Sequence, residues 1–198
     1  MKEINFLVVG VGGQGALLAS NVLAEVGLRA GFDVKKAEVH GMSQRGGSVN
    51  SHVRWGADVK SPVIGRGEVD VLLSLEKLEA LRYLAMLRKD GTALIGESKI
   101  PPLTVSSGDD SYPDDDEISR AFSQVTDDFY FIPTLTLAEQ AGTARAHNVV
   151  LLGALSAQIG GVSPDVWLEV IEERVPKKYI ELNRKAFEAG RRAGLSQV

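Results

Sequence analysis

The distribution of apolar positions along the chain divides it into strand-like runs and helical stripes. Ile4 to Gly10 is a short, almost wholly apolar run ending in glycine, the pattern of a strand buried on both faces in a parallel sheet. After a glycine cluster, Ala16, Ser20, Leu23, Ala24, Gly27 and Leu28 recur at helical spacing, which predicts a helix to about Arg29, closed by Gly31. Phe32 to His40 and Ser48 to Trp55 alternate as strands, the second more clearly, with Val49 and Val53 on one side. Val69 to Leu73 reads as another buried strand and Leu75 to Leu84 as a helix, and Thr92 to Ile95 as a strand after an Asp90-Gly91 turn. Ala144 to Ile159 is apolar on nearly all sides, as expected of a buried helix. Ser163-Pro164 has the cap-then-proline order that starts a further helix. The last helix places Tyr179, Leu182, Ala186, Ala189 and Ala193 on one face and a basic surface, including Arg184 and Lys185, on the other.

This rhythm predicts an α/β fold: a single Rossmann-like layered domain over residues 1–198, with a mainly parallel sheet flanked by helices. Strand order does not follow from it. The texture changes near 97–118, where prolines and serines lead into an acidic tip, DDSYPDDDE, read as an irregular excursion. Such a run is a solvated surface or a docking patch for a basic partner.

Composition narrows the chemistry. With 22 Lys and Arg against 26 Asp and Glu, the formal charge is −4, which gives no basic surface for nucleic acid. No apolar run reaches membrane-spanning length, and the opening segment reads as a strand, so a cytoplasmic location is expected. The chain has 0 cysteines, which removes disulfides, thiolate metal sites and iron–sulfur clusters held by its own residues.

Two glycine clusters carry the candidate chemistry. Gly10-Val11-Gly12-Gly13-Gln14-Gly15 joins the first strand to the first helix, where free N–H groups suit a phosphate or carboxylate. The Gly10, Gly12, Gly15 spacing also satisfies the dinucleotide pattern, with Glu38 as the candidate ribose-binding acid. Alternatively, the glycines only shape a tight crossover. Gln14, an amide within that turn, points to a ligand role. The second cluster, Glu38 to Val49 (EVHGMSQRGGSV), follows a strand end and should therefore meet the first at the carboxyl edge of the sheet. Arg45 between Gln44 and the pair Gly46-Gly47 offers a fixed positive charge among exposed backbone donors.

GVGGQG joined at this distance to EVHGMSQRGGSVNSHVRWG closely resembles the γ-type subunit of the 2-oxoacid:ferredoxin oxidoreductases, the indolepyruvate branch above all. Leu75 to Tyr83, Asn148 to Leu155 and Val175 to Gly190 resemble further segments of that family. The resemblance implies a small subunit, inactive alone, of a complex that oxidatively decarboxylates arylpyruvates with CoA to arylacetyl-CoA, CO2 and reduced ferredoxin. Thiamine diphosphate, magnesium and [4Fe-4S] clusters would lie on a larger α partner, with ferredoxin as electron acceptor and CoA as cosubstrate. No metal is expected on this chain. Gly12, Gly13, Gln14 and Gly15 would line the cleft, and Ser43, Gln44, Arg45, Gly46 and Gly47 would approach the active site or the CoA route. Arg45 would meet the anion, with Gln44 in support. CoA phosphate, cofactor pyrophosphate and substrate carboxylate all remain open as that anion. The competing readings are a γ subunit acting on pyruvate or branched-chain 2-oxoacids, a stand-alone NAD-dependent dehydrogenase, and a non-catalytic adaptor.

Overall fold

A computed structural model describes residues 3–40 and 46–196. Six strands, β1 (Ile4–Val11), β2 (Asp33–His40), β3 (Ser48–Gly56), β4 (Val69–Ser74), β5 (Leu87–Gly96) and β6 (Phe129–Ile132), form one sheet in the order β2-β3-β1-β4-β5-β6. Strands β1, β4, β5 and β6 run parallel, whereas β3 lies antiparallel between β1 and β2. Helix α1 (Ala16–Arg29) therefore carries the chain past β1's neighbouring position to β2, and the chain returns as β3 to fill the gap. That return sets Ser48 opposite Val11 and brings the second glycine cluster back to the end of β1.

β1 alternates between two cores. Phe6 and Val8 face α1 and the C-terminal helices; Leu7 and Val9 face the other layer, and all four are fully buried. On the first face Trp55 packs edge-on to Phe6 at 4.8 Å and stacks on Phe32 at 5.3 Å. On the second, α2 (Lys77–Arg82) packs beside the sheet with Ile118 and Phe122 of α4 (Asp115–Phe122); the short α3 (Leu103–Ser106) precedes α4. Helices α5 (Thr134–Ala141), α6 (His147–Gln158), α7 (Pro164–Arg174) and α8 (Ile180–Leu195) complete the first layer.

Several expectations change. The Asp90-Gly91 turn lies inside one strand. Asp90 adopts φ 57°, and the register jumps from Val69–Leu87 to Val71–Thr92, so the extra residues bulge out of β5. The acidic tip begins a helix: the Asp114 carboxylate accepts from the Glu117 N–H at 2.7 Å and the Glu117 carboxylate from the Asp114 N–H at 2.9 Å. Negative charge in that first turn is favoured by the helix dipole. Asp115 also bridges Lys77 at 2.8 Å and Lys99 at 3.4 Å, and the Lys77 ammonium holds its carboxyl below the ordinary range. The buried face of α8 is Asn183, Ala186, Phe187, Gly190 and Gly194; of the expected stripe it keeps Ala186, with Leu182 and Ala193 partly buried against the core. Glycine has no apolar bulk to mark a face, but here it admits a neighbouring backbone.

Candidate functional site

The two glycine clusters meet. The Gly12 N–H donates to the Gly47 carbonyl at 2.8 Å, and the Gly46 N–H donates back to the Gly12 carbonyl at 3.3 Å. Gly13, Gly15 and Gly46 hold φ of 106°, 82° and 76°, values that favour glycine. The joined turns sit at the carboxyl edge of the parallel strands, where open α/β sheets gather ligands. Ser43, Gln44 and Arg45 lie outside the described residues, as do Gly41 and Met42.

Gln14 departs from its expected role. Only 8% exposed, it accepts from the Val11 N–H at 2.8 Å and donates to the Leu75 carbonyl at 3.0 Å and to Ser98 Oγ at 3.2 Å. Its amide ties the ends of β1, β4 and β5 together and so shapes the rim, in the wall of the cavity that Gly13 and Gly15 also line. Gln14→Leu keeps the bulk but leaves the Val11 and Leu75 backbone groups without these partners. The expected loss is about 2 kcal/mol, read as a lower urea midpoint at unchanged slope; an unchanged midpoint would remove the strut role.

On the other side, Asn148 at the start of α6 donates from Nδ2 to the Gly15 carbonyl at 3.2 Å. Below Gly47, the Ser48 hydroxyl donates to the buried Glu79 carboxylate and lies 3.3 Å from the Tyr83 hydroxyl. Asn50 Nδ2 donates to that same Tyr83 oxygen at 2.8 Å. Burial pushes the Glu79 carboxyl above the ordinary range, while Ser48 and Arg82, 3.2 Å away, pull it down. Glu76, fully buried, caps α2 and accepts from the Ile100 N–H at 2.9 Å and the Tyr112 hydroxyl; burial is the main cause that raises the Tyr112 phenol above its usual value. Sequence reasoning took this Leu75–Tyr83 segment as a family helix without a role at the site. Acids at positions that pattern as buried were the available signal.

The start of α1 stands between two cavities. One, about 420 Å³, opens toward β2 and β3 between Gly12, Gly13, Leu17, Glu38 and Val39. The other, about 650 Å³, opens toward α6. Leu17 and Val39 in the first and Ile100 and Leu135 in the second are exposed apolar residues of their walls. Isolated exposed leucines are ordinary, but several around one rim mark a contact surface.

Glu38 does not complete a dinucleotide site. β3 separates its strand from β1, so Glu38 lies across the cavity from Gly12 and Gly13, two strand spacings, roughly 10 Å, from β1 rather than one. Its carboxylate pairs with Lys36 at 2.5 Å. Among the described residues no three metal-ligating side chains converge, and the whole chain lacks cysteine. Without cysteine the chain has no thiolates to hold an iron–sulfur cluster. The backbone-lined turns do suit an anion. Among the described residues no helix is long and apolar enough to cross a membrane.

Comparison with known proteins agrees with this geometry. The chain is 45% identical over 98% of its length to the indolepyruvate oxidoreductase subunit IorB of Thermococcus kodakarensis, covering 96% of that relative. It is 42% identical to the subunit of the same name from Archaeoglobus fulgidus, with 98% and 96% of the two chains covered. Among solved structures, the γ subunit of a keto/oxoacid ferredoxin oxidoreductase from Geobacter sulfurreducens superposes with a TM-score of 0.72 at 25% identity, over 98% of this chain and 99% of that one. Residues 5–193 match the pyruvate ferredoxin/flavodoxin oxidoreductase family, and this chain belongs to it.

Proposed function

We propose that this chain is the small, non-autonomous subunit of a cytoplasmic complex that oxidises indolepyruvate and related arylpyruvates with CoA, giving the arylacetyl-CoA, CO2 and two reduced ferredoxins. The observation that carries the reading is the hydrogen-bonded union of Gly12 with Gly46 and Gly47 at the sheet rim, beside exposed apolar residues that a larger chain would cover. The relatives named as indolepyruvate oxidoreductase subunits support the choice of substrate. Thiamine diphosphate on the partner would supply the carbanion chemistry of decarboxylation, and iron–sulfur clusters there would carry the electrons. This chain's own residues would bind and orient: N–H groups at the start of α1, together with Arg45, would hold an anionic group of substrate or cosubstrate while the apolar rim excluded water.

Reconstitution with the larger chain tests this. Reduction of a low-potential acceptor by indolepyruvate and CoA should require both chains, and full-rate reduction by this chain alone would overturn the reading. Arg45→Ala should weaken turnover at low CoA or low substrate about ten- to hundredfold with the complex intact, the size of one charge-assisted contact. An adaptor would retain its partner's turnover in that variant.

A further inference from the structure

We infer that Glu79 is a positioning residue: through the Ser48 hydroxyl its buried carboxylate fastens the Gly46-Gly47 turn to α2, and so holds it against Gly12 in the geometry that turnover needs. The glycine turns have little else to fix them. Gly13 and Gly46 both hold positive φ, and a Cβ built on either would meet nothing within 4 Å, so among the described residues no packing keeps these two glycines in place. Hydrogen bonds must do it. The first turn has its strut in Gln14, which ties Val11 to Leu75 and Ser98. The second is met by Ser48, which follows Gly47 and opens β3 opposite Val11. Gly12 and the Gly46-Gly47 pair are joined by two backbone hydrogen bonds, so where Ser48 is held both turns are held.

The Ser48 hydroxyl donates to the Glu79 carboxylate. Asn50 Nδ2 donates to the Tyr83 oxygen at 2.8 Å, which leaves the single Tyr83 proton to point at Ser48 Oγ, 3.3 Å away. The donors thus run one way, from Asn50 to Tyr83 to Ser48 to Glu79, and an ionised carboxylate, which only accepts, is their natural end. Keeping a carboxylate there is costly. Glu79 is 4% exposed, burial raises its carboxyl above the ordinary range, and Glu76 opposes its charge. Its ion pair among the described residues is with the half-exposed Arg82 at 3.2 Å. The helix itself does not need the acid, because its cap is Glu76, which accepts from the Glu79 N–H at 2.8 Å. What the Glu79 carboxylate adds is a charge-assisted hydrogen bond to Ser48, about twice as strong as a neutral one. The part in turnover rests on the proposed function; the fastening does not.

Amide hydrogen exchange on the full chain, read by NMR, tests the fastening. In Glu79→Ala the Gly12 N–H should exchange about ten- to hundredfold faster, the size of one charge-assisted hydrogen bond. The fully buried Leu152 in α6 reports any change in global stability. Glu79→Gln, whose amide oxygen still accepts, should recover part of the protection. Ser48→Ala cuts the same link without emptying the buried position on α2. It should match Glu79→Ala, and the double variant should exceed neither. Gly12 exchange equal to the parent in both single variants, or accelerated no more than that of Leu152, overturns the inference. In the reconstituted complex, kcat/KM with indolepyruvate and CoA should fall about ten- to hundredfold in both single variants and recover in part in Glu79→Gln. Loosened exchange at parental kcat/KM overturns the part in turnover. If the parent complex turns over no indolepyruvate while Gly12 loosens as expected, the proposed function falls and the fastening stands.

Discussion

Gly190→Ala should be the most destabilising single-methyl change in the chain, with a loss of about 4 kcal/mol and a melting temperature roughly 8–16 °C lower. A Cβ at Gly190 would stand 1.9 Å from the Val150 carbonyl oxygen, and one at Gly153 would stand 2.1 Å from that of Phe187. Both collisions are with backbone, so no rotamer change relieves them and α6 must separate from α8. Overpacking at a side-chain contact costs about 1–3 kcal/mol because neighbours yield; here the obstacle is a hydrogen-bonded helix. Gly160→Ala, with nothing within 4 Å of its Cβ, is the matched control and should leave thermal unfolding nearly unchanged. Equal melting of the Gly190 and Gly160 variants would mean that the helices do not touch backbone to backbone. The consequence reaches the rim, because His147 and Asn148 are the first residues of α6.

The legible parts of the sequence were those in which residue type and physical cause coincide. A doubly buried strand must be apolar throughout, which marked β1, and Ser163-Pro164 marked α7 by its cap chemistry. The meeting of the glycine clusters was legible for a related reason: both follow strand ends, and strand ends share an edge. What escaped was information carried by pairing. Nothing in Ser48–Gly56 alone says that it lies antiparallel between β1 and β2, yet that placement sets Glu38 a further strand away from β1. The four residues of β6 are too few to show a period, and α5 begins almost at once after them. The partners of Gln14 are not legible, because Leu75 and Ser98 arrive from 61 and 84 residues away. Asn148 gives no sequence signal as a residue of the rim, since its hydrogen bond to Gly15 exists only once α6 packs beside α1.

Gly15→Ala should nearly abolish turnover of the reconstituted complex while the chain still folds, because two separate costs fall on one atom. The residue holds φ 82°, which costs a side chain about 1–2 kcal/mol. Its Cβ would also stand 2.4 Å from Asn148 Nδ2, so Asn148 would have to leave both the Gly15 carbonyl and the Val149 N–H that it now binds. The turn can relieve both by opening, which moves the first N–H groups of α1 away from the anion they are to hold. A displacement of about 1 Å at such a site costs on the order of a hundredfold in kcat/KM. Gly67→Ala, at φ 73° with nothing near its Cβ, carries the conformational cost alone and should leave turnover unchanged. Adding Asn148→Ala to Gly15→Ala removes the collision and should restore part of the lost kcat/KM, a non-additivity that separates the steric from the conformational share. Parental kcat/KM in the Gly15 single variant would mean that this turn holds no reacting partner, and the functional reading of the rim would fall with it.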